Sequence, residues 1–298
     1  FRSMDKITIE LSVLRRYAES RHPFILGLEC AFQSENKLHF VLEYIPGGML
    51  FNHLRAQEMF SEKMARFYAA EVLLGLEHLH TAQIIYRDLK PENVLVCADG
   101  HVKLCDFGLA AIGLSAPAAH LSGSGKMVLV GTTEYMAPEV LRREACGQAV
   151  DIWALGVLLY EMVTGEAPWY HREQKELQRK IMHTKVKLPV WLTSGARTLL
   201  RGLLTKEPGQ RLGVLADSEE HRSDVAAVKA HSFFRSLNWP ALLLRKLEPP
   251  LIPTLPSADP TTDVSNFDSK YTLEPPVRAR HLPTAAAQKS CAPPPSAP

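Results

Sequence analysis

The chain has 298 residues, 46% of them hydrophobic, enough for one large domain or two lobes around a sizeable core, which excludes a disordered protein. Lysine plus arginine (34) nearly balances aspartate plus glutamate (32), and the formal charge of +2 offers no general field for nucleic acid or a membrane surface. Cys30, Cys97, Cys105, Cys146 and Cys291 form no CxxC pair, which argues against a disulfide framework or structural zinc and fits a reducing cytoplasmic or nuclear setting.

In chain order, Ile7 to Tyr17 has helical spacing, with Ile7, Leu11 and Leu14 on one side, and His22-Pro23 stops it. From Phe24 to Glu43 the pattern turns strand-like, with Leu38, Phe40 and Leu42 alternating, until Pro46-Gly47-Gly48 breaks the chain as a hinge. Ser61 is placed to cap a helix whose apolar positions Met64, Phe67, Tyr68, Val72, Leu76 and Leu79 recur at helical intervals. Asp99-Gly100, between Val94–Cys97 and His101–Cys105, predicts a short hairpin. Ala149 to Val163 is apolar nearly all round except at Asp151 and Glu161, which predicts a helix buried in the centre of a helical lobe and ended by Gly165. Helices continue to about Leu247. Proline-rich text carrying DVSNFDSKYTLEPP follows, and residues from about 281 onward are expected to be disordered. No apolar run reaches the length of a membrane span, and the N-terminus has no signal-peptide layout.

The segment IIYRDLKPENVLV, Ile84 to Val96, sets polar groups between two aliphatic stretches that both call for burial, so it reads as a rigid loop at the edge of a core. Read with Lys103–Gly108 and Met136–Glu139, its residues supply what phosphoryl transfer from ATP needs, all but the ATP lid. Asp88 would orient the acceptor hydroxyl and take its proton, and Lys90 would offset charge on the moving phosphoryl group. Asn93 and Asp106 would hold Mg2+, which favours hard oxygen ligands.

YRDLKPEN, DFG, APE and DIWALG, in this order, resemble a eukaryotic protein kinase from about Glu10 to Phe234. With the C-terminal DVSNFDSKYT, the chain is similar to the ribosomal protein S-six kinase branch of the AGC group. The resemblance implies a two-lobe α+β fold, with an incomplete small β lobe and a mostly helical large lobe. It divides the chain into a small-lobe remnant (1–45), a large lobe (46–238), an AGC-type tail (239–280) and a terminal stretch (281–298). It implies that Arg87 anchors an activation-loop phosphate, that Asp151 holds the catalytic loop, and that Glu139 pairs with Arg211. Leu14, Leu38, Tyr86 and Phe107 match the apolar stack that aligns the lobes. Leu95 would lie beneath adenine, Glu43 to Ile45 match the hinge that binds its edge, Leu42 is the gatekeeper, and Glu10 is the helix-C glutamate. Lys90 and Thr132 match serine/threonine specificity. Glu92 and Glu161 match carboxylates that read a substrate arginine, so protein substrates with basic residues near the acceptor are expected.

The sequence also departs from that family. No Gly-rich loop and no lysine-bearing strand precede Glu10, and the chain starts at Phe1, so it reads as an N-terminally truncated kinase whose fragment alone is inactive. Val128 stands where relatives carry a phosphorylatable threonine, which leaves the upstream activator open; Ser115, Ser122 and Ser124 are substitute sites in a long, small-residue-rich loop expected to be mobile. Pro275 and Ala279 stand at tail phosphosites, and Met49 replaces a substrate-reading glutamate. Two functional classes stay open: an active serine/threonine kinase, and a pseudokinase or regulatory protein-binding module. The cysteines read as small buried hydrophobes, and His80 and His101 as ordinary histidines without ligand spacing.

Overall fold

A computed structural model describes residues 4–18, 21–34, 37–117, 119–121, 127–129, 131–215, 221–256, 259, 263–267 and 269–273. The first helical pattern folds as α1 (Met4–Ala18), which buries Glu10, Val13 and Leu14. The strand-like stretch resolves into two strands, β1 (Leu28–Ser34) and β2 (Lys37–Leu42), paired antiparallel with an irregularity at Leu28/Cys30. Phe24 to Leu26 run alongside as a tie rather than a strand: Leu26 N–H donates to Leu104 O and Leu104 N–H to Phe24 O, both at 2.9 Å. That tie joins the small sheet to the floor of the cleft.

After the hinge come α2 (Leu50–Gln57) and α3 (Glu62–Thr81), the latter capped as its sequence requires, with Ser61 Oγ accepting from Met64 N–H at 3.3 Å. Then β3 (Ile84–Ile85) leads into the polar loop, and the hairpin forms from β4 (Val94–Val96) and β5 (Val102–Leu104) in the register Val94↔Leu104, Val96↔Val102. Short strands β6 (Ala111–Ile112), β7 (Ala116–Pro117), β8 (Ala119–Leu121) and β9 (Met127–Leu129) follow. β6 pairs with β3 and β8 with β9. Beyond them lie α4 (Pro138–Leu141), β10 (Ala145–Cys146), which pairs with β7, α5 (Ala149–Thr164), α6 (Gln174–His183), α7 (Ser194–Leu203), α8 (Val225–Lys229), α9 (Trp239–Leu243) and α10 (Ser269–Thr272).

The fold is the two-lobe, mixed α and β arrangement the sequence implied. α5, apolar nearly all round except at Asp151 and Glu161, is packed by α3 on one side and α7 on another. It ends at Gly165 with φ +79°, where a Cβ would fall 2.4 Å from Glu58 O, so only glycine fits that turn. Leu38 is a correction. It is 39% exposed, because it pairs with Gln33 next to the Ser34/Lys37 end of the β1–β2 ribbon, the end away from the core. Leu28, at the other end of the ribbon, packs instead against the core that contains Leu14, Tyr86 and Phe107.

The proline-rich tail returns to the hinge. Asn266 Nδ2 donates to Pro46 O at 3.0 Å, Tyr44 Oη donates to Asp263 O, and the Tyr44 and Phe267 rings lie 5.8 Å apart. Ser122, Ser124, Pro275, Ala279, Cys291 and the segment 281–298 lie outside the described residues. Among the described residues no helix is long and apolar enough to cross a membrane.

Candidate active site

The polar loop is built onto α5 by one buried side chain. Asp151, fully buried, accepts from Tyr86 N–H and Arg87 N–H at 2.8 Å each, using both carboxylate oxygens. Holding two successive amides to one carboxylate turns the chain sharply, and Arg87 takes φ +66°, a conformation that costs about 1–2 kcal/mol for an L residue. His80 Nε2 braces the same carboxylate at 2.8 Å. Tyr86 is buried against Phe107, ring centroids 5.5 Å apart, and its hydroxyl donates to Cys105 O. Arg87 Nε donates to Leu109 O at 2.7 Å and Nη2 to Ala110 O at 3.3 Å, which ties the loop to the chain just after Gly108.

On this support, four of the expected side chains converge. Asp88 Oδ2 accepts from Lys90 Nζ at 3.0 Å and from Asn93 Nδ2 at 2.8 Å, and Lys90 Nζ also reaches Thr132 Oγ1 at 3.2 Å. Asn93 Nδ2 donates as well to Asp88 O at 2.8 Å, an orientation that commits its amide nitrogen to the loop and turns its oxygen away. Burial pushes the Asp88 carboxyl above its usual range; Lys90 and Asn93 pull it back in part, and the nearby Asp106 charge pushes it up further. Asp106 itself takes φ +54° and its Oδ1 accepts from Gly108 N–H at 3.2 Å.

Leu42, Ile45 and Leu95 share one apolar cluster with Leu26, Cys97 and Cys105, beside the hinge. Glu43 is held from within: its side chain accepts from Lys103 Nζ at 2.7 and 2.6 Å, and its N–H donates to Gly27 O at 3.0 Å. Glu10 lies buried on α1, close enough for its charge to help raise the Cys105 thiol, whose shift comes chiefly from burial.

Glu92, Thr132 and Glu161 line a second cleft of about 510 Å³, together with Glu134, Tyr135, Glu166 and Arg55. Tyr135 Oη donates to Glu161, whose carboxyl is raised chiefly by burial; the Tyr135 hydroxyl and Arg55 offset part of the rise, and Glu92 and Glu134 add to it. One oxygen of Glu92 is buried without a hydrogen-bond partner. A cation entering this cleft would satisfy that oxygen and relieve the crowding of like charges.

Glu139 and Arg211 pair as expected, in a buried two-pronged contact at 2.7 and 2.9 Å, and Arg211 Nη1 also donates to Ala149 O at 2.8 Å. Two residues read as ordinary carry specific contacts. His80 braces Asp151, and His101 Nδ1 lies 2.5 Å from the fully buried Glu71, whose second oxygen accepts from Val102 N–H at 2.9 Å. The available signal was the acid rather than the histidine: Glu71 lies among apolar positions of a helix that must face the core, and a buried carboxylate requires a partner. Among the described cysteines, Cys97 and Cys146 are buried and Cys30 and Cys105 are half-buried.

Residues 2–234 match the protein kinase domain family. The chain is 42% identical over 247 residues to a probable serine/threonine-protein kinase of Dictyostelium discoideum, covering 83% of this chain and 50% of that protein. It is 42% identical over 255 residues to the RAC family serine/threonine-protein kinase homolog of the same organism, covering 86% and 53%. Against the RAC-beta serine/threonine-protein kinase B of Xenopus laevis it is 41% identical over 270 residues, covering 91% and 53%. The chain spans about half the length of these relatives. With its family match, the hairpin floor and the loop braced on α5, the chain belongs to the protein kinase family.

Proposed function

We propose that the chain forms the catalytic part of a serine/threonine protein kinase. The observation that carries the reading is the Asp88 carboxylate fixed between Lys90 and Asn93, with Thr132 on Lys90 and Asp106 beside it. In the reaction the acceptor hydroxyl oxygen bonds to the γ-phosphorus of ATP, the bond to the β–γ bridging oxygen breaks, ADP leaves, and Asp88 receives the hydroxyl proton. A carboxylate raised by burial is the better proton acceptor, and Lys90 offsets negative charge where the phosphoryl group moves. Leu42, Ile45 and Leu95 would sandwich adenine against the hinge. ATP binding in this reading also requires a lid over the phosphates and a lysine clamp.

The residues present fit Mg2+. Among the described residues no cluster of three or more histidine, cysteine or acidic side chains could form a metal cage. The Asn93 amide oxygen, left over when its nitrogen is committed, and the Asp106 carboxylate are hard donors suited to an ion that shares its shell with phosphate and water. When bound, the ion neutralises phosphate charge. Asp106→Asn is therefore expected to weaken Mg2+-dependent nucleotide binding by roughly tenfold or more while leaving metal-free binding unchanged. Titrations that respond equally with and without Mg2+ would remove Asp106 from this role.

The tail on the hinge supports placement in the AGC group, near the ribosomal protein S-six kinase branch. Five cysteines without a CxxC pair support a cytoplasmic or nuclear setting. The acidic cleft supports a preference for basic substrates, narrowed because Met49 supplies no charge. Arginine two residues before the acceptor should be selected, each charge-assisted contact contributing roughly 1.5–3 kcal/mol. A positional peptide library should show that preference in the parent and lose it in Glu92→Ala/Glu161→Ala; a flat profile in the parent, or an unchanged one in the double variant, rejects it.

A further inference from the structure

Asp151 fixes the backbone of Tyr86 and Arg87, and through them the direction in which Asp88 leaves the loop. Its brace, His80, is held in turn by residues far along the chain. His80 Nδ1 lies 2.8 Å from Ser223 Oγ, 143 positions away. Gln148, at the start of α5, closes the arrangement: its Nε2 donates to His80 O at 2.8 Å, so its Oε1 faces Ser223, 3.0 Å from the backbone nitrogen and 3.1 Å from Oγ.

The hydrogen-bond inventory makes this set informative. His80 Nε2 faces a carboxylate that already accepts two amides, so that nitrogen carries a proton. In a neutral ring Nδ1 is then an acceptor and the Ser223 hydroxyl donates to it. In a protonated ring Nδ1 donates to Oγ, and the hydroxyl proton passes to Gln148 Oε1. A hydroxyl satisfies both arrangements; a methyl group satisfies neither. The serine is itself held in place, since Leu215 N–H donates to Arg222 O at 2.9 Å, Asp224 N–H to Gly213 O at 2.7 Å and Ala149 N–H to His221 O at 3.0 Å.

We propose that Ser223 is a positioning residue for the catalytic loop, acting through His80 and Asp151, with Gln148 fixing its orientation. Its kinetic consequence rests on the phosphotransfer reading above; its effect on the loop backbone does not.

The test compares Ser223→Val with Ser223→Thr by amide hydrogen exchange at Tyr86 and Arg87, with Leu199 and Leu200 of α7 as reporters of general stability. Losing a hydrogen bond to a buried partner should speed exchange at Tyr86 and Arg87 roughly tenfold in the valine variant, with threonine near the parent rate and the α7 amides unmoved. In the whole protein kcat should fall roughly five- to tenfold in Ser223→Val, with KM for ATP and peptide unchanged and threonine restoring turnover. Should Ser223→Val fail to fold, Ser223→Ala removes the hydroxyl with less bulk and is read in the same way. Unchanged exchange at Tyr86 and Arg87, or a uniform rise that includes α7, overturns the proposal. Selective exchange changes in a protein without turnover sustain it and count instead against the kinase reading.

Discussion

Replacing Asp88 by asparagine in the whole protein is expected to leave nucleotide binding nearly unchanged while lowering turnover by at least about a hundredfold. Asparagine keeps the shape that Lys90 and Asn93 hold but cannot take the acceptor's proton, so the loss falls on the transition state rather than on the bound complex. The same substitution makes a second, opposite prediction. The folded-state pKa of Asp88 is raised, chiefly by burial, so the folded protein holds that proton more tightly than the unfolded chain does. The cost to stability is absent below the unfolded value near about 4, grows as pH rises through it, and is complete above the folded value. Asp88→Asn removes that cost, and its Tm at neutral pH should equal or exceed the parent's. An inactive variant that is also less stable would point to misfolding instead of lost chemistry.

Arg211→Met should destabilise the protein by roughly 3–5 kcal/mol in denaturant unfolding, because it leaves the Glu139 carboxylate buried without its hydrogen-bonded partner. Arg211 and Glu139 are both buried, and the guanidinium also satisfies Ala149 O and Thr205 O. Adding Glu139→Gln to Arg211→Met should recover part of the loss by removing the stranded charge. A single-variant loss below about 1 kcal/mol would mean that water or a neighbouring cation reaches Glu139.

Much of this site was legible because its chemistry is local in sequence. Asp88, Lys90 and Asn93 lie within six positions, and a short loop between two buried strands can bring them together in few ways. The hairpin at Asp99-Gly100 and the nearly continuous apolar run of α5 were readable for the same reason. The outer braces were not. Asp151, which meets Tyr86 across 65 positions, was reachable only through the family resemblance, and Ser223 meets His80 across 143 positions, a separation at which periodicity carries no information. Leu38 was misplaced because alternation reports which face a residue occupies, not how far along the ribbon the core extends. Glu43 was read through its backbone, and its side chain's ion pair with Lys103 depends on the β5 register, which composition does not fix.

The measurement that bears most directly on this account is transfer of γ-labelled phosphate from Mg2+-ATP by the whole protein to a serine peptide with arginine two residues upstream. Mg2+-dependent labelling of the serine is expected, falling at least about a hundredfold in Asp88→Asn. Nucleotide bound normally in both proteins, with no labelling by the parent above the Asp88→Asn level, would contradict it.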